Sequence, residues 1–82
     1  MFAFLFPYRT VLPKKQREII GDAVLKKRLK AGYSQEALAE KADIHPNYVG
    51  RIERGECAPT IEILLKIAKA LGVRVRDLVC DL

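Results

Sequence analysis

Two short helical patterns separated by a break of three residues constrain the fold of this chain more than any other feature of its sequence. Ser34 is a favourable N-cap for the first pattern, which covers residues 35–42. The second begins at Pro46, a residue that suits the first position of a helix, and covers residues 46–53. Alanines on the inward face of the first pattern would let the two helices cross closely around the break, residues 43–45.

Apolar residues at helical spacing predict further helices on both sides of this pair, and no window alternates as a strand would. The predicted helices cover about residues 15–31, 35–42, 46–53, 61–71 and 75–80. Gly32 and Gly72 follow the first and the fourth, as glycines that end helices do. The residues predicted to face the core are Ile20, Val24, Leu29, Ala31, Ala37, Leu38, Ala42, Val49, Ile52, Ile61, Leu64, Ile67, Ala68, Leu71, Val75 and Leu78. The sequence therefore predicts an all-α fold.

The first 13 residues differ in composition from the rest of the 82-residue chain. They contain all three phenylalanines and two of the four prolines, but no acidic residue. Pro7 and Pro13 prevent a continuous helix, and aromatic side chains at this density are unfavourable in water. We therefore predict an extended apolar arm, residues 1–13, that docks on a single domain, residues 14–82.

Composition and residue spacing argue against several classes of function. The apolar stretch at residues 1–6 is far shorter than the roughly 18 to 20 residues of a membrane span, so no membrane association is expected. One histidine and two scattered cysteines supply neither a tetrahedral metal site nor a disulfide framework. No carboxylate pair or Gly-rich phosphate loop accompanies them. We expect a cytoplasmic protein that is not an enzyme and uses no cofactor or metal.

The net charge of +5 favours a polyanionic partner, and the helix over residues 46–53 offers a surface for one. When its two apolar residues turn inward, this helix exposes Asn47, Tyr48, Gly50, Arg51 and Arg54. Asn47 and Arg51 lie one turn apart and point the same way. In the major groove, Asn can form two hydrogen bonds with adenine and Arg two with guanine. We therefore predict base contacts from Asn47, Tyr48 and Arg51, with Gly50 leaving room for the helix backbone to approach the groove.

The central segment and the sequence after it resemble a known family. The segments SQEALA, RIERG and APTIEILLKIAKALGV, followed by RDLV, are similar to the Cro/XRE-type helix-turn-helix domain of phage repressors, restriction–modification controllers and antitoxin-type regulators. The resemblance covers about residues 22–79 and places the helix-turn-helix at about 34–53. It implies a compact five-helix, lambda-repressor-like fold. It also implies a transcription regulator that binds operator DNA as a homodimer, with its third helix in the major groove.

The resemblance further implies roles for residues around the third helix. Gln35 and Thr60 stand where predicted helices begin, where free N–H groups attract phosphate, and Arg54 adds a cation at the end of the third helix. These three residues are predicted to contact DNA phosphates, although for Thr60 helix capping is an equal alternative. Arg28 and Glu53 are expected to form a partly buried ion pair that supports the fold and does not contact DNA.

Two residues at the turn depart from the family pattern. Asp43 replaces the usual glycine, and aspartate tolerates the left-handed conformation better than most residues. His45 replaces the usual serine or threonine cap of the third helix. The cap is therefore either weakened or provided by the imidazole.

Two alternatives stand beside the simple operator-binding dimer. One is an antitoxin-type regulator that also binds a toxin protein, and the other is a protein-interaction module that keeps the fold without reading DNA. We expect no effector domain, so regulation would depend on the concentration of the protein or on a regulatory protein partner. The apolar residues predicted to hold the dimer together are Val75, Leu78, Val79 and Leu82 near the last helix, and Phe2, Phe4, Leu5, Phe6 and Tyr8 in the arm.

Overall fold

The structure is a computed structural model, and it describes residues 12–82. Five α-helices make up most of this part of the chain. They are α1 (Lys14–Ala31), α2 (Gln35–Ala42), α3 (Pro46–Glu53), α4 (Ile61–Leu71) and α5 (Val75–Val79). The prediction of an all-α fold is confirmed, and residues 12–82 contain no strand. The helix boundaries differ from the predicted ones by one residue at the start of α1 and at the end of α5. The predicted arm lies outside the described residues, except for Leu12 and Pro13.

Every helix contributes to one continuous apolar core. Helix α3 contacts α1 and α2, α4 packs on α2 and α1, and α5 closes against α1 and α4. The largest fully buried side chains are Val24, Leu38, Val49, Ile52, Ile67 and Leu78. Within residues 12–82, no helix combines the length and the apolar character needed to cross a bilayer.

Three residues that were predicted to face the core are exposed instead. The inward stripe of α1 runs through Val24 and Arg28, so Leu29 and Ala31 fall on the solvent side of the helix, Leu29 with 61% exposure. The prediction was wrong here because a charged residue, Arg28, occupies the inward position that an apolar residue was expected to fill. Ile61 is 70% exposed because it is the first residue of α4, and the inward stripe of that helix begins one turn later.

Side chains cap the first turns of α2, α3 and α4. Ser34 and Thr60 each accept the backbone N–H three residues later, at 3.0 and 3.2 Å. His45 Nδ1 accepts the N–H of Asn47 at 3.1 Å, so the imidazole provides the cap of α3. Asp43 follows α2 in the left-handed conformation, with φ at 58°, as predicted. Asp43 and His45 thus mark where α2 ends and where α3 begins.

Candidate nucleic-acid interface

Helix α3 presents a polar face to solvent because its apolar residues hold it from the other side. Val49 and Ile52 are fully buried in the core. This burial fixes the rotation of the helix and leaves Asn47, Arg51 and Arg54 exposed. Asn47 and Arg51 are one helical turn apart, so both side chains project from the same face.

An open groove of about 270 Å³ joins the N-terminal end of α2 to this face of α3. Its lining consists of Gln35, Pro46, Asn47, Gly50, Arg51, Arg54 and Glu56. Four of the six residues predicted to contact DNA therefore lie around one concave surface. A helix N-terminus beside exposed guanidinium groups suits a phosphate-bearing ligand, because both supply hydrogen-bond donors and positive charge.

Gly50 borders this groove but is itself buried, so the prediction that α3 exposes Gly50 was wrong. The residue is buried, and a Cβ there would stand 2.9 Å from Nη1 of Arg54 and 3.5 Å from Oε1 of Gln35. The covering side chains come from the next turn of α3 and from α2. The glycine therefore lets the Arg54 side chain cross α3 at close range.

Tyr48 lies at the edge of the exposed face of α3. It is partly buried and packs against the core, unlike the neighbouring Asn47. Arg51 and Asn47 are therefore the more accessible of the three residues predicted to read bases. A base contact from Tyr48 stays a prediction.

A buried ion pair connects α1 to the end of α3. Arg28 Nε and Nη2 donate to Glu53 Oε2 and Oε1 at 2.7 and 3.0 Å, and the two side chains are 10% and 4% exposed. Arg28 Nη1 also donates to the carbonyl of Tyr33 at 2.8 Å. The hydrogen bond to Glu53 raises the pKa of the Arg28 guanidinium, which therefore stays charged despite its burial. The pair therefore holds the C-terminal end of α3 against α1 through a buried contact.

The side chain of Gln35 belongs to the same network. Its Nε2 donates to Glu53 Oε1 at 2.9 Å, which commits the amide group to the ion pair. The first backbone N–H groups of a helix have no partner within the helix, so those of Gln35 and Glu36 at the start of α2 remain suited to an anion. A phosphate contact at Gln35 stays a prediction, and the backbone N–H is the group suited to make it.

Thr60 lies apart from the groove beside α3. Its hydroxyl caps α4 by accepting the N–H of Ile63, which is the structural alternative considered for it above. Thr60 instead borders a second cleft of about 650 Å³, which Leu12, Arg17 and Cys57 also line. A phosphate contact from Thr60 stays a prediction.

Glu56 is a residue of this surface that sequence reasoning missed. Its carboxylate accepts from Arg54 Nε and Nη2 at 2.6 and 3.3 Å, and it lies 3.8 Å from Arg51 Nε. The hydrogen bond between them lowers the pKa of the Glu56 carboxyl and raises that of the Arg54 guanidinium. The sequence does show an acidic residue directly after Gly55, where the chain leaves α3, close in sequence to both arginines.

Known proteins resemble the chain over most of its length. The family described as Helix-turn-helix matches residues 24–78. Control protein C.BamHI of Bacillus amyloliquefaciens is 43% identical over 63 residues, which cover 76% of this chain and 78% of that protein. The solved structure of the restriction-modification controller protein C.AhdI from Aeromonas hydrophila superposes with a TM-score of 0.76 at 33% identity, covering 78% of this chain and 97% of that one. SinR, a master regulator for biofilm formation solved in complex with DNA, gives a TM-score of 0.70 at 38% identity, covering 72% and 95% of the two chains.

Proposed function

Because the chain belongs to the helix-turn-helix family of XRE-type transcription regulators, we propose that it is a cytoplasmic regulator that binds a specific operator in double-stranded DNA as a homodimer. The observation that carries this proposal is the shared exposed face of Asn47 and Arg51, beside the N-terminal end of α2. Helix α3 enters the major groove with this face toward the bases. Transcription then changes because an occupied operator either blocks or recruits RNA polymerase.

The proposed base contacts follow from the hydrogen-bonding groups on α3. The Asn47 amide carries one donor and one acceptor group, which match N7 and N6 of adenine. The Arg51 guanidinium carries a fork of donors that matches O6 and N7 of guanine. Because the two side chains project from one face a turn apart, they reach neighbouring base pairs along the groove.

The proposed phosphate contacts hold α3 in the groove from both sides. The backbone N–H of Gln35 meets one phosphate with the partial positive charge of the α2 N-terminus. Arg54, whose side chain is 58% exposed, meets another as a cation. Thr60 at the start of α4 is the third proposed contact. Such contacts set the register of the protein on the duplex and leave sequence discrimination to the base contacts.

The homodimer is proposed because one helix-turn-helix reads only a few base pairs. Two copies related by a twofold axis read half-sites about 34 Å apart. Leu78 is 1% exposed and fills the core of its own chain, so its predicted place in the interface was wrong. Val75 and Val79 of α5 are half-buried and Leu82 is 54% exposed, which supports the region of α5 as the contact.

Selection from a library of random-sequence duplexes with the purified full chain tests the proposal. We expect one partly palindromic sequence to be enriched. Its affinity should fall steeply with salt, with a slope of about −0.9 in log K against log salt for each phosphate neutralised. If no sequence is enriched and duplex binding does not depend on salt, the proposal fails, and an interaction module without a DNA surface becomes the better account.

A further inference from the structure

Glu56 places a negative charge against both arginines of the proposed DNA surface. Its carboxylate holds Arg54 through two hydrogen bonds of 2.6 and 3.3 Å and lies within ion-pair distance, 3.8 Å, of Arg51. The Glu56 side chain is 49% exposed, and it lines the same groove as Asn47. The groove proposed to receive a polyanion therefore already contains an anionic group of the protein itself.

The backbone fixes Glu56 in this position. Gly55 turns the chain through the left-handed region, with φ at 74°, and the N–H of Glu56 then donates to the Arg51 carbonyl at 2.9 Å. Arg17 on α1 donates from Nε to the carbonyl of Gly55 at 2.9 Å. A Cβ on residue 55 would stand 2.7 Å from Cγ of Glu18, so α1 packs closely against this turn. The carboxylate of Glu56 is thus directed back toward α3 by a turn that α1 holds in place.

We infer that Glu56 is a specificity-setting residue, whose carboxylate competes with DNA phosphate for Arg54 and Arg51 and so weakens binding to sequences that lack the operator bases. This inference rests on the proposed function. A carboxylate and a phosphate both accept two parallel hydrogen bonds from a guanidinium group, so each can replace the other on Arg54.

The competition acts unequally on different DNA sequences. On random DNA, Arg54 exchanges its two hydrogen bonds to Glu56 for phosphate contacts of the same kind, and Arg51 meets a phosphate whose negative charge Glu56 repels. On the operator, Arg51 contacts the edge of a guanine, which is uncharged and is not repelled by Glu56. Glu56 therefore opposes the contact of Arg51 on random DNA and does not oppose it on the operator. The lowered pKa of the Glu56 carboxyl supports this account, because the carboxylate stays ionised in the DNA-free protein.

The test compares Glu56→Gln with the matched control Asp22→Asn in the full chain. Each change removes one exposed carboxylate that is paired with a basic side chain, because Asp22 lies 2.9 Å from Lys26 on α1. Both variants therefore have the same net charge. Binding is measured by fluorescence anisotropy on a random-sequence duplex and on the duplex selected with the unmodified protein, at one salt concentration, after thermal melting has established that both variants fold.

We expect Glu56→Gln to tighten binding to the random duplex by roughly fivefold or more, through the removal of a charge adjacent to the phosphates. Binding to the selected duplex should tighten less, so that the ratio of the two affinities falls. Asp22→Asn should change both affinities by less than about twofold, since Asp22 does not line the groove and its partner Lys26 is not among the proposed DNA contacts.

Two results would overturn the inference. If the two variants tighten binding equally, net charge alone is responsible and the position of Glu56 is irrelevant. If Glu56→Gln leaves the ratio of affinities unchanged, Glu56 does not set specificity. A failure of the proposed function is distinguishable from both, because selection with the unmodified chain would then enrich no sequence before any variant is compared, and the inference would fall with it.

Discussion

Arg28 on α1 and Glu53 at the end of α3 are joined by two hydrogen bonds, of 2.7 and 3.0 Å, in a pair whose side chains are both nearly buried. The same carboxylate also accepts the side-chain amide of Gln35 at 2.9 Å. One acidic residue thus connects α1, α2 and α3. The ion pair therefore determines how α3 is held relative to the N-terminal end of α2, which is the geometry that the proposed DNA groove requires.

Removing either member of this pair should destabilise the fold. We expect Arg28→Ala and Glu53→Ala each to lower the free energy of unfolding by about 3 to 5 kcal/mol, because each leaves a buried charge without its partner. The double variant should lose less than the sum of the two, since its members interact directly. Urea unfolding followed by circular dichroism measures all three values. Strictly additive losses, or unchanged unfolding with weakened DNA binding, would remove the structural role assigned to the pair.

Two buried glycines should respond in opposite ways to alanine. A Cβ on Gly21 of α1 would collide with the backbone carbonyl of Ile52 and stand 2.8 Å from that of Glu53, so Gly21→Ala must push α1 away from α3. We expect a loss of about 3 kcal/mol or more in the free energy of unfolding. At Gly50 the atom nearest to an added Cβ is at the end of the flexible Arg54 side chain, which can shift to make room. Alanine also stabilises a helix by about 0.5 to 1 kcal/mol relative to glycine.

Thermal melting of the two variants side by side checks this contrast. Gly50→Ala should leave the midpoint unchanged or raise it, while Gly21→Ala should lower it strongly. Equal melting of both variants would contradict the close packing of α1 on α3.

The contribution of Arg51 should depend on the DNA sequence. Arg51→Ala is expected to cost about 1 to 3 kcal/mol on the selected duplex and to relax the preference at one base pair, because a bidentate base contact is lost. Arg54→Ala is the matched comparison, since it removes an arginine of similar exposure that is assigned to phosphate. It should weaken binding to all duplexes alike and reduce the salt slope by about 1. Equal loss from Arg51→Ala on selected and random DNA would reassign that residue to a phosphate.

Glu56 should titrate below the ordinary glutamate range, and Arg54 should be the reason. Because the folded state lowers the pKa of this carboxyl, its bond to Arg54 contributes stability above the unfolded-state pKa, and that contribution is lost as the pH falls through the folded-state pKa. In Arg54→Ala the pKa of Glu56 should move upward toward its usual value. A carboxyl-carbon NMR titration of the two proteins measures the difference. An identical midpoint in both would show that the bond does not persist in solution.

The exposed face of α3 could be predicted from the sequence because it depends only on the positions of the apolar residues within that one helix. Once Val49 and Ile52 are turned inward, the helical period alone places Asn47 and Arg51 outward. The turn before α3 was equally local, since the left-handed conformation of Asp43 depends on its neighbours along the chain.

Features that depend on contacts between helices could not be predicted in this way. In the sequence, Gly21 is only a residue of low helix propensity within a helical pattern. The structure shows that a side chain there would meet the backbone of α3, because α1 and α3 cross closely at this position. Gly50 was predicted to be exposed because the helical period does not show that the side chains of Arg54, one turn later, and Gln35, on α2, fold over it. Leu29 was predicted to be buried because apolar spacing cannot reveal that Arg28 takes the inward position to reach Glu53.

Self-association through the region of α5 and Leu82 should make the protein a dimer in solution. The full chain is expected to sediment as a dimer at tens of micromolar. Leu82→Glu should shift it toward monomer, because a charge would be buried in the contact. Leu29→Glu is the comparison, since Leu29 is similarly exposed, at 61% against 54%, but belongs to α1. A chain that begins at Leu12 keeps all described residues and isolates the contribution of the preceding segment. A monomer in every sample contradicts the homodimer, whereas equal weakening by both glutamate substitutions moves the contact away from α5.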